Sequence, residues 1–287
     1  MNRTEFRFFE RLRVRWAEID AQQIVFNGHY LMYLDTAMAG YWRALALPYA
    51  QSMASLGGDL FVRKATLDYR APARYDDLLD IGLRCVRIGS SSITFAAGVF
   101  RGDALLVGAE LVYVFADPHA QGSRPVPAPL RDLMLGFEAG EPVVDVRTGD
   151  WATLGGDAQA IRTAVFVQEQ QIPTDLEWDA ADGQALHAVA YNRLGQALAT
   201  GRLLAYTPGV VKIGRMAVSR AVRSSGIGRH VLDALIAAAT SRGEREALLH
   251  AQTRAESFYR RAGFQPRGEV FEEAGIAHIE MVRALDR

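Results

Sequence analysis

Prolines crowd into one part of this chain. Pro118, Pro125, Pro127, Pro129 and Pro142 fall in or beside residues 117–141, a stretch that also holds Gly122, Gly136 and Gly140. Proline fixes φ and carries no amide hydrogen, so this stretch cannot continue a sheet. It reads as a linker with room for a short helix at 129–137. A chain of 287 residues suits two domains of ordinary size. The expected organisation is therefore a domain at 1–120, a linker at 121–142 and a second domain at 143–287. No internal repeat relates the two sides.

The patterns flanking the linker differ. Ahead of it, a strand-like stretch at 8–16 leads to a polar turn around Asp20. Tyr30, Leu31, Leu34, Ala37, Met38, Tyr41, Trp42 and Leu45 then recur at three- and four-residue spacing, which predicts an amphipathic helix ended by Pro48. Strands are predicted at 60–69, 78–88, 92–101 and 105–115, with turn signals at Ala71-Pro72 and Asp76-Asp77, at Gly89 and at Gly102-Asp103. One long helix followed by an antiparallel meander implies an α+β unit whose sheet wraps on that helix. Beyond the linker the elements alternate. Strands are expected at 143–147, 186–192, 197–205, 210–219, 247–251, 264–270 and 278–284, and helices at 157–169, 226–242 and 255–262.

Composition narrows the function classes. Lys and Arg number 32 against 33 Asp and Glu, so no net basic field draws nucleic acid. Cys85 is the only cysteine, which excludes an intrachain disulfide and a multi-cysteine zinc site. The first residues are studded with Arg and Glu rather than a signal-peptide apolar core, and no run of about 18 apolar residues predicts a membrane span. A cytoplasmic protein that needs no metal is the expectation.

In the second half, Arg223-Ser224-Ser225-Gly226-Ile227-Gly228-Arg229 lies between an apolar strand and a helix. Small residues let a backbone approach phosphate oxygens, and amides at a helix N-terminus satisfy them. The same pattern is also found in plain strand–helix turns. It is followed by Ala251-Gln252-Thr253-Arg254-Ala255-Glu256-Ser257-Phe258-Tyr259 and then Gly263-Phe264. The pair resembles the GNAT superfamily of N-acetyltransferases, an α/β fold with a mixed sheet. Arg162 to Gln170, followed by Pro173, Glu177, Asp179, Asp182 and His187, resembles a GNAT subgroup with an R-x-x-V-F-V-x-E-Q segment. The resemblance implies that Met216, Ala217 and Val218 lend backbone hydrogen bonds to the pantetheine arm of acetyl-coenzyme A. It implies too that Arg223–Arg229 cradle the pyrophosphate and that Tyr259 protonates the departing thiolate. Tyr259 also reads as a packed aromatic beside Phe258. Glu169, Glu177 and His278 are candidates for the base, though loop carboxylates are commonly just solvated and strand histidines structural. A water chain is a further alternative.

In the first half, Arg13-Val14-Arg15-Trp16-Ala17-Glu18-Ile19-Asp20 ends a strand ahead of the helix that begins near Tyr30. With Asp35 in that helix and Leu67-Asp68-Tyr69 in the next strand, it resembles the hotdog-fold thioesterases of the 4-hydroxybenzoyl-CoA type. The resemblance implies that Asp20 is nucleophile or base on an acyl-coenzyme A thioester, with helix amides polarising the carbonyl. Asp20 is equally suited to cap a turn. Two positions depart from the pattern: Gln23 stands where glycine is common, and Asn27 where many relatives have histidine. Asp35 and Asp68 read as polar surface positions, and Ser90-Ser91-Ser92 as a turn. The combined expectation is hydrolysis of an acyl-coenzyme A in the first domain and acetyl transfer to an amine in the second, with homo-oligomers formed through the hotdog unit. The alternative is a hotdog unit that only oligomerises or senses acyl-coenzyme A.

Overall fold

The computed structural model describes residues 1–120 and 122–285. Gln121 of the expected linker and residues 286–287 of the expected second domain lie outside them. The chain divides into two compact units, Met1–Val143 and Val144–Arg287, each built on its own sheet.

The first unit contains β1 (Phe8–Arg13), α1 (His29–Ala44), α2 (Tyr49–Leu56), β2 (Asp59–Tyr69), β3 (Leu78–Ile88), β4 (Ser92–Arg101), β5 (Ala104–Ala116) and α3 (Ala128–Ala139). Its strands lie in the order β1-β3-β4-β5-β2, every pairing antiparallel. Helix α1 buries Tyr30, Tyr33, Leu34, Ala37, Met38, Tyr41 and Trp42, one face at helical spacing. Leu31 falls off that face and is exposed. The helix lies against β1 at Gly40, where a Cβ would collide with the Glu10 carboxylate and stand 2.8 Å from the Phe8 ring. Tyr41 meets Phe8, Trp42, Phe95 and Phe137 edge to face at 5.5–5.8 Å.

Local chemistry accounts for the differences from expectation. Strand β1 stops at Arg13 because the Glu18 carboxylate folds back onto the Arg15 amide at 2.7 Å and starts a tight turn. Pro48 does not end α1, which stops at Ala44; it precedes α2, a helix the spacing did not predict because only Ser52 and Met53 of it are buried. The proline-rich stretch holds α3, which has Pro129 in its first turn, where a missing amide hydrogen costs little. Leu130, Leu133 and Met134 bury its inner face. Glu138 there accepts from the Tyr41 hydroxyl at 2.7 Å and from the Cys85 amide at 2.8 Å.

The second unit runs β6 (Val144–Gly149), α4 (Trp151–Arg162), a π-helical turn (Thr163–Glu169), α5 (Thr174–Glu177), β7 (Leu186–Asn192), β8 (Ala197–Thr207), β9 (Val210–Val218), α6 (Ile227–Ser241), β10 (Glu246–Gln252), α7 (Glu256–Arg261), β11 (Gln265–Glu273) and β12 (Ile276–Ala284). The strand order is β11-β12-β10-β9-β8-β7-β6, and only β9 with β10 is parallel. Helix α4 begins earlier than expected because the Asp150 side chain caps the Thr153 amide at 2.9 Å. Its Leu154, Ala158 and Ile161 pack with Val189, Tyr191 and Ala217 of the sheet.

Two irregularities in β9 position the site. Its parallel pairing with β10 covers Val210–Ile213 against Glu246–Leu249 and goes no further. Beyond it, both strands continue with no partner strand on their facing edges among the described residues, which opens a fork in the sheet. On the other edge, Arg215 and Met216 together oppose Gly201 of β8 in a β-bulge, with Arg215 at φ 52°.

Candidate active sites

In the second unit a cavity of about 500 Å³ opens at this fork. Gly214, Arg215 and Met216 line it from β9, Leu249, His250 and Gln252 from β10, and Tyr259 from α7. An extended ligand entering here would meet the unpaired backbone of β9 as an added strand does.

Where β9 meets α6, the loop is built for an anion. Ser224 lies at φ 67° and Gly226 at φ 87°. The amides of Ser224, Ser225, Gly226, Ile227 and Gly228 find no acceptor among the described residues, five in succession at the start of a 15-residue helix. Unpaired amides joined to a helix N-terminus present the local positive potential that phosphate oxygens seek. Side chains brace the loop from within. Arg223 donates to the Val218 carbonyl and, with both prongs, to Glu169 of the π-helical turn at 2.6 and 2.7 Å. Those bonds hold the Glu169 carboxyl below its ordinary pKa. Arg229 points away, to Asp233 and the Arg261 carbonyl. Of the expected cradle, the backbone of residues 224–228 is open to a ligand, whereas both arginines are already paired.

Tyr259 is buried, edge to face with Phe258 and Phe264 at 4.9 and 6.1 Å. Burial raises its hydroxyl's pKa above the ordinary tyrosine range, which keeps the proton in place. The other wall of the cavity is charged. Lys212 reaches His250 Nδ1 at 3.2 Å, and Glu273 reaches the same nitrogen at 3.1 Å. Burial lowers the Lys212 pKa. Burial also pushes the Glu273 carboxyl up, but His250, His278 and Lys212 outweigh it and hold that carboxyl down. Lys212, His250 and Glu273 were not singled out in the sequence, where each is one polar residue in a strand without a motif around it.

In the first unit Asp20 occupies a tight loop. Its Oδ1 accepts from the Gln22 amide at 2.8 Å, and its backbone amide donates to the Ile24 carbonyl at 2.9 Å. Gln23, at the position where glycine was expected, takes the left-handed conformation itself, with φ 61°. Further along, the amides of Asn27, Gly28 and Tyr30 at the start of α1 have no acceptor among the described residues. Glu18 is the buried carboxylate of this region. Burial raises its pKa, but bonds from the Arg15 amide, the Tyr33 hydroxyl and the Arg15 side chain prevail and lower it. Asp35 and Asp68 are exposed, and Asp68 pairs with Arg70 at 2.8 Å.

Residues 156–285 match the family model of the acetyltransferase (GNAT) domain, and residues 22–108 match that of the thioesterase superfamily. An uncharacterized N-acetyltransferase of Bacillus subtilis, YjcF, is 34% identical over 128 residues, 44% of this chain and 90% of the relative. Protein ElaA of Escherichia coli is 34% identical over 129 residues, 44% of this chain and 84% of the relative. Among solved structures, a 1,4-dihydroxy-2-naphthoyl-CoA thioesterase from Synechocystis aligns at 20% identity with a TM-score of 0.42, over 46% of this chain and 97% of its own. No helix among the described residues is long and apolar enough to cross a membrane.

Proposed function

The chain belongs to the GNAT acetyltransferases through its C-terminal half and to the thioesterase superfamily through its N-terminal half, and from that premise we propose a two-site acyl-coenzyme A enzyme. The second unit transfers an acetyl group from acetyl-coenzyme A to an amine. The observation that carries this reading is the run of five amides without an acceptor among the described residues, in the loop that follows β9, the strand that lines the cavity together with Tyr259. The amides of residues 224–228 hold the pyrophosphate. The open edge of Met216, Ala217 and Val218 pairs with the pantetheine arm, and Tyr259 protonates the leaving thiolate. Arg223 fixes the loop through Glu169. Tyr259→Phe removes only the hydroxyl. It should slow transfer about 10²-fold, as loss of a general acid does, with little change in acetyl-coenzyme A affinity. Wild-type turnover in this variant would make the tyrosine a packing residue.

For the first unit, Asp20 acts on the thioester and the free amides at the start of α1 polarise its carbonyl. One observation favours the second reading, a unit that senses or assembles: Asp20 Oδ1 is already bonded to the Gln22 amide. Free-thiol release over a panel of acyl-coenzyme A esters, with and without amines, separates the two. Amine-independent release reports hydrolysis, and Asp20→Asn should cut it about 10²-fold while amine-dependent release persists. No amine-independent release from the wild-type chain would favour the sensing role. Assembly as a homodimer or larger fits the edge strand β2, which exposes Phe61, Val62 and Tyr69. A lone buried thiol, Cys85, suits a cytoplasmic setting.

A further inference from the structure

Attack of an amine on a thioester needs a group that takes a proton from nitrogen. The three side chains that could supply it have different surroundings. Glu169 is committed to Arg223 through both oxygens. Glu177 is 2% exposed; its carboxylate meets Arg162 at 2.5 Å and Arg215 at 3.4 Å. Taking up a proton would break an ion pair in either case, and for Glu177 a buried one.

His278 is in the opposite condition. It stands on β12, in register with Gln252 of β10, and lines the cavity. Its Nδ1 is 2.8 Å from the Ile276 carbonyl oxygen. A carbonyl only accepts, so Nδ1 carries the hydrogen and the lone pair of the neutral ring is on Nε2. Nε2 has no partner among the described residues. Nor is it among the unpaired side-chain atoms sealed from solvent, so solvent reaches it. Phe271 of β11 stacks on the ring, with centroids 6.1 Å apart and planes 26° from parallel. The ring is thus held in one tautomer and one plane, with its basic nitrogen free. Glu273 from β11, His250 from β10 and Lys212 from β9 share the cavity lining with it, as do Glu177, Asp179, Arg202, Arg215 and Tyr259.

We propose that His278 Nε2 is the proton acceptor in acyl transfer, an assignment that rests on the transferase reading above. As the carbon–nitrogen bond forms, the amine's proton passes to Nε2. The carbon–sulfur bond breaks and the thiolate takes a proton from the Tyr259 hydroxyl. Imidazolium and tyrosinate then exchange a proton through solvent and return to their starting forms. The Ile276 carbonyl stabilises the transient imidazolium through the Nδ1 hydrogen.

The test uses the full chain with acetyl-coenzyme A and a panel of alkylamines, amino acids and lysine peptides, reading acetylated product by mass spectrometry. With the best amine, His278→Gln should lower kcat/KM about 10²-fold and leave acetyl-coenzyme A affinity within about twofold by calorimetry. Imidazole added to His278→Ala should restore part of the rate, which a purely structural role would not allow. Wild-type turnover in His278→Gln overturns the assignment. So does a slow variant that ignores imidazole, and so does loss of acetyl-coenzyme A binding in both variants. An inactive wild-type chain across the whole panel overturns the transferase reading itself, and the assignment with it.

Discussion

Gly226→Val is expected to weaken acetyl-coenzyme A binding by about 10³-fold while the second unit stays folded. A Cβ at Gly226 meets nothing within 4 Å, so the substitution brings no clash into the core. The difficulty is the backbone. Gly226 lies at φ 87°, where a β-branched residue is strained. The loop must therefore rearrange, and the amides of residues 224–228 lose their common aim. Each charge-assisted hydrogen bond to an anion contributes about 1.5–3 kcal/mol, so misdirecting two of them accounts for the expected loss. Gly226→Asn is the control, because asparagine tolerates the left-handed region, and it should stay within about tenfold of the wild type. Calorimetry on both variants, with circular dichroism to verify the fold, gives the answer. Unchanged affinity in a folded Gly226→Val protein would refute the phosphate role of this loop.

That loop was legible in the sequence because its chemistry is local. Small residues and glycines at fixed spacing before an apolar helix already imply unpaired amides, whatever surrounds them. The strands at 78–88, 92–101 and 186–192 were legible for a similar reason: turn residues bound apolar runs that a sheet must bury. The wall opposite Tyr259 was not. Lys212, His250, Glu273 and His278 come from four strands, and only the order β11-β12-β10-β9 brings them together. Strand order is a long-range property that no spacing encodes. His278 could be named as a candidate base, but its free Nε2 depends on a bond to Ile276 that sequence does not contain. Gln23 teaches the converse. Glycine is common at this position, yet the chain accepts φ 61° at glutamine, with its amide bonded to the Asp20 carbonyl and the loop pinned to Ala73 through Val25.

Arg162→Met should cost the second unit about 3–5 kcal/mol, the range for removing one partner of a buried ion pair. Arg162 is 1% exposed. It donates to a Glu177 carboxylate oxygen at 2.5 Å, to Asp182 at 2.8 Å and to the Glu177 carbonyl at 2.9 Å. Its guanidinium also lies over the Trp178 ring, 4.5 Å from the centroid. Arg202 shares Asp182 and holds Asp179 with two bonds, and Arg215 reaches Glu177 and Asp179. Three arginines thus balance three carboxylates. Removing Arg162 leaves Glu177 and Asp182 buried with less than their share of positive charge. Arg162→Lys should fare little better, since a single ammonium cannot serve the side chains of both carboxylates and a carbonyl in this forked geometry. Acid gives a second readout. Asp179 is held at a pKa of about 2, chiefly by its bonds from Arg202. A carboxyl depressed below its unfolded value of about 3.9 stabilises the fold above that pH and loses the contribution as pH falls toward 2. Wild-type protein should therefore lose stability across that window, and Asp179→Asn should lose less there while starting lower at neutral pH. Urea denaturation at pH 7 and over the acid range checks both. A loss below about 1 kcal/mol in Arg162→Met would mean that packing of α4, rather than this network, holds the segment that carries Glu177 to Asp182.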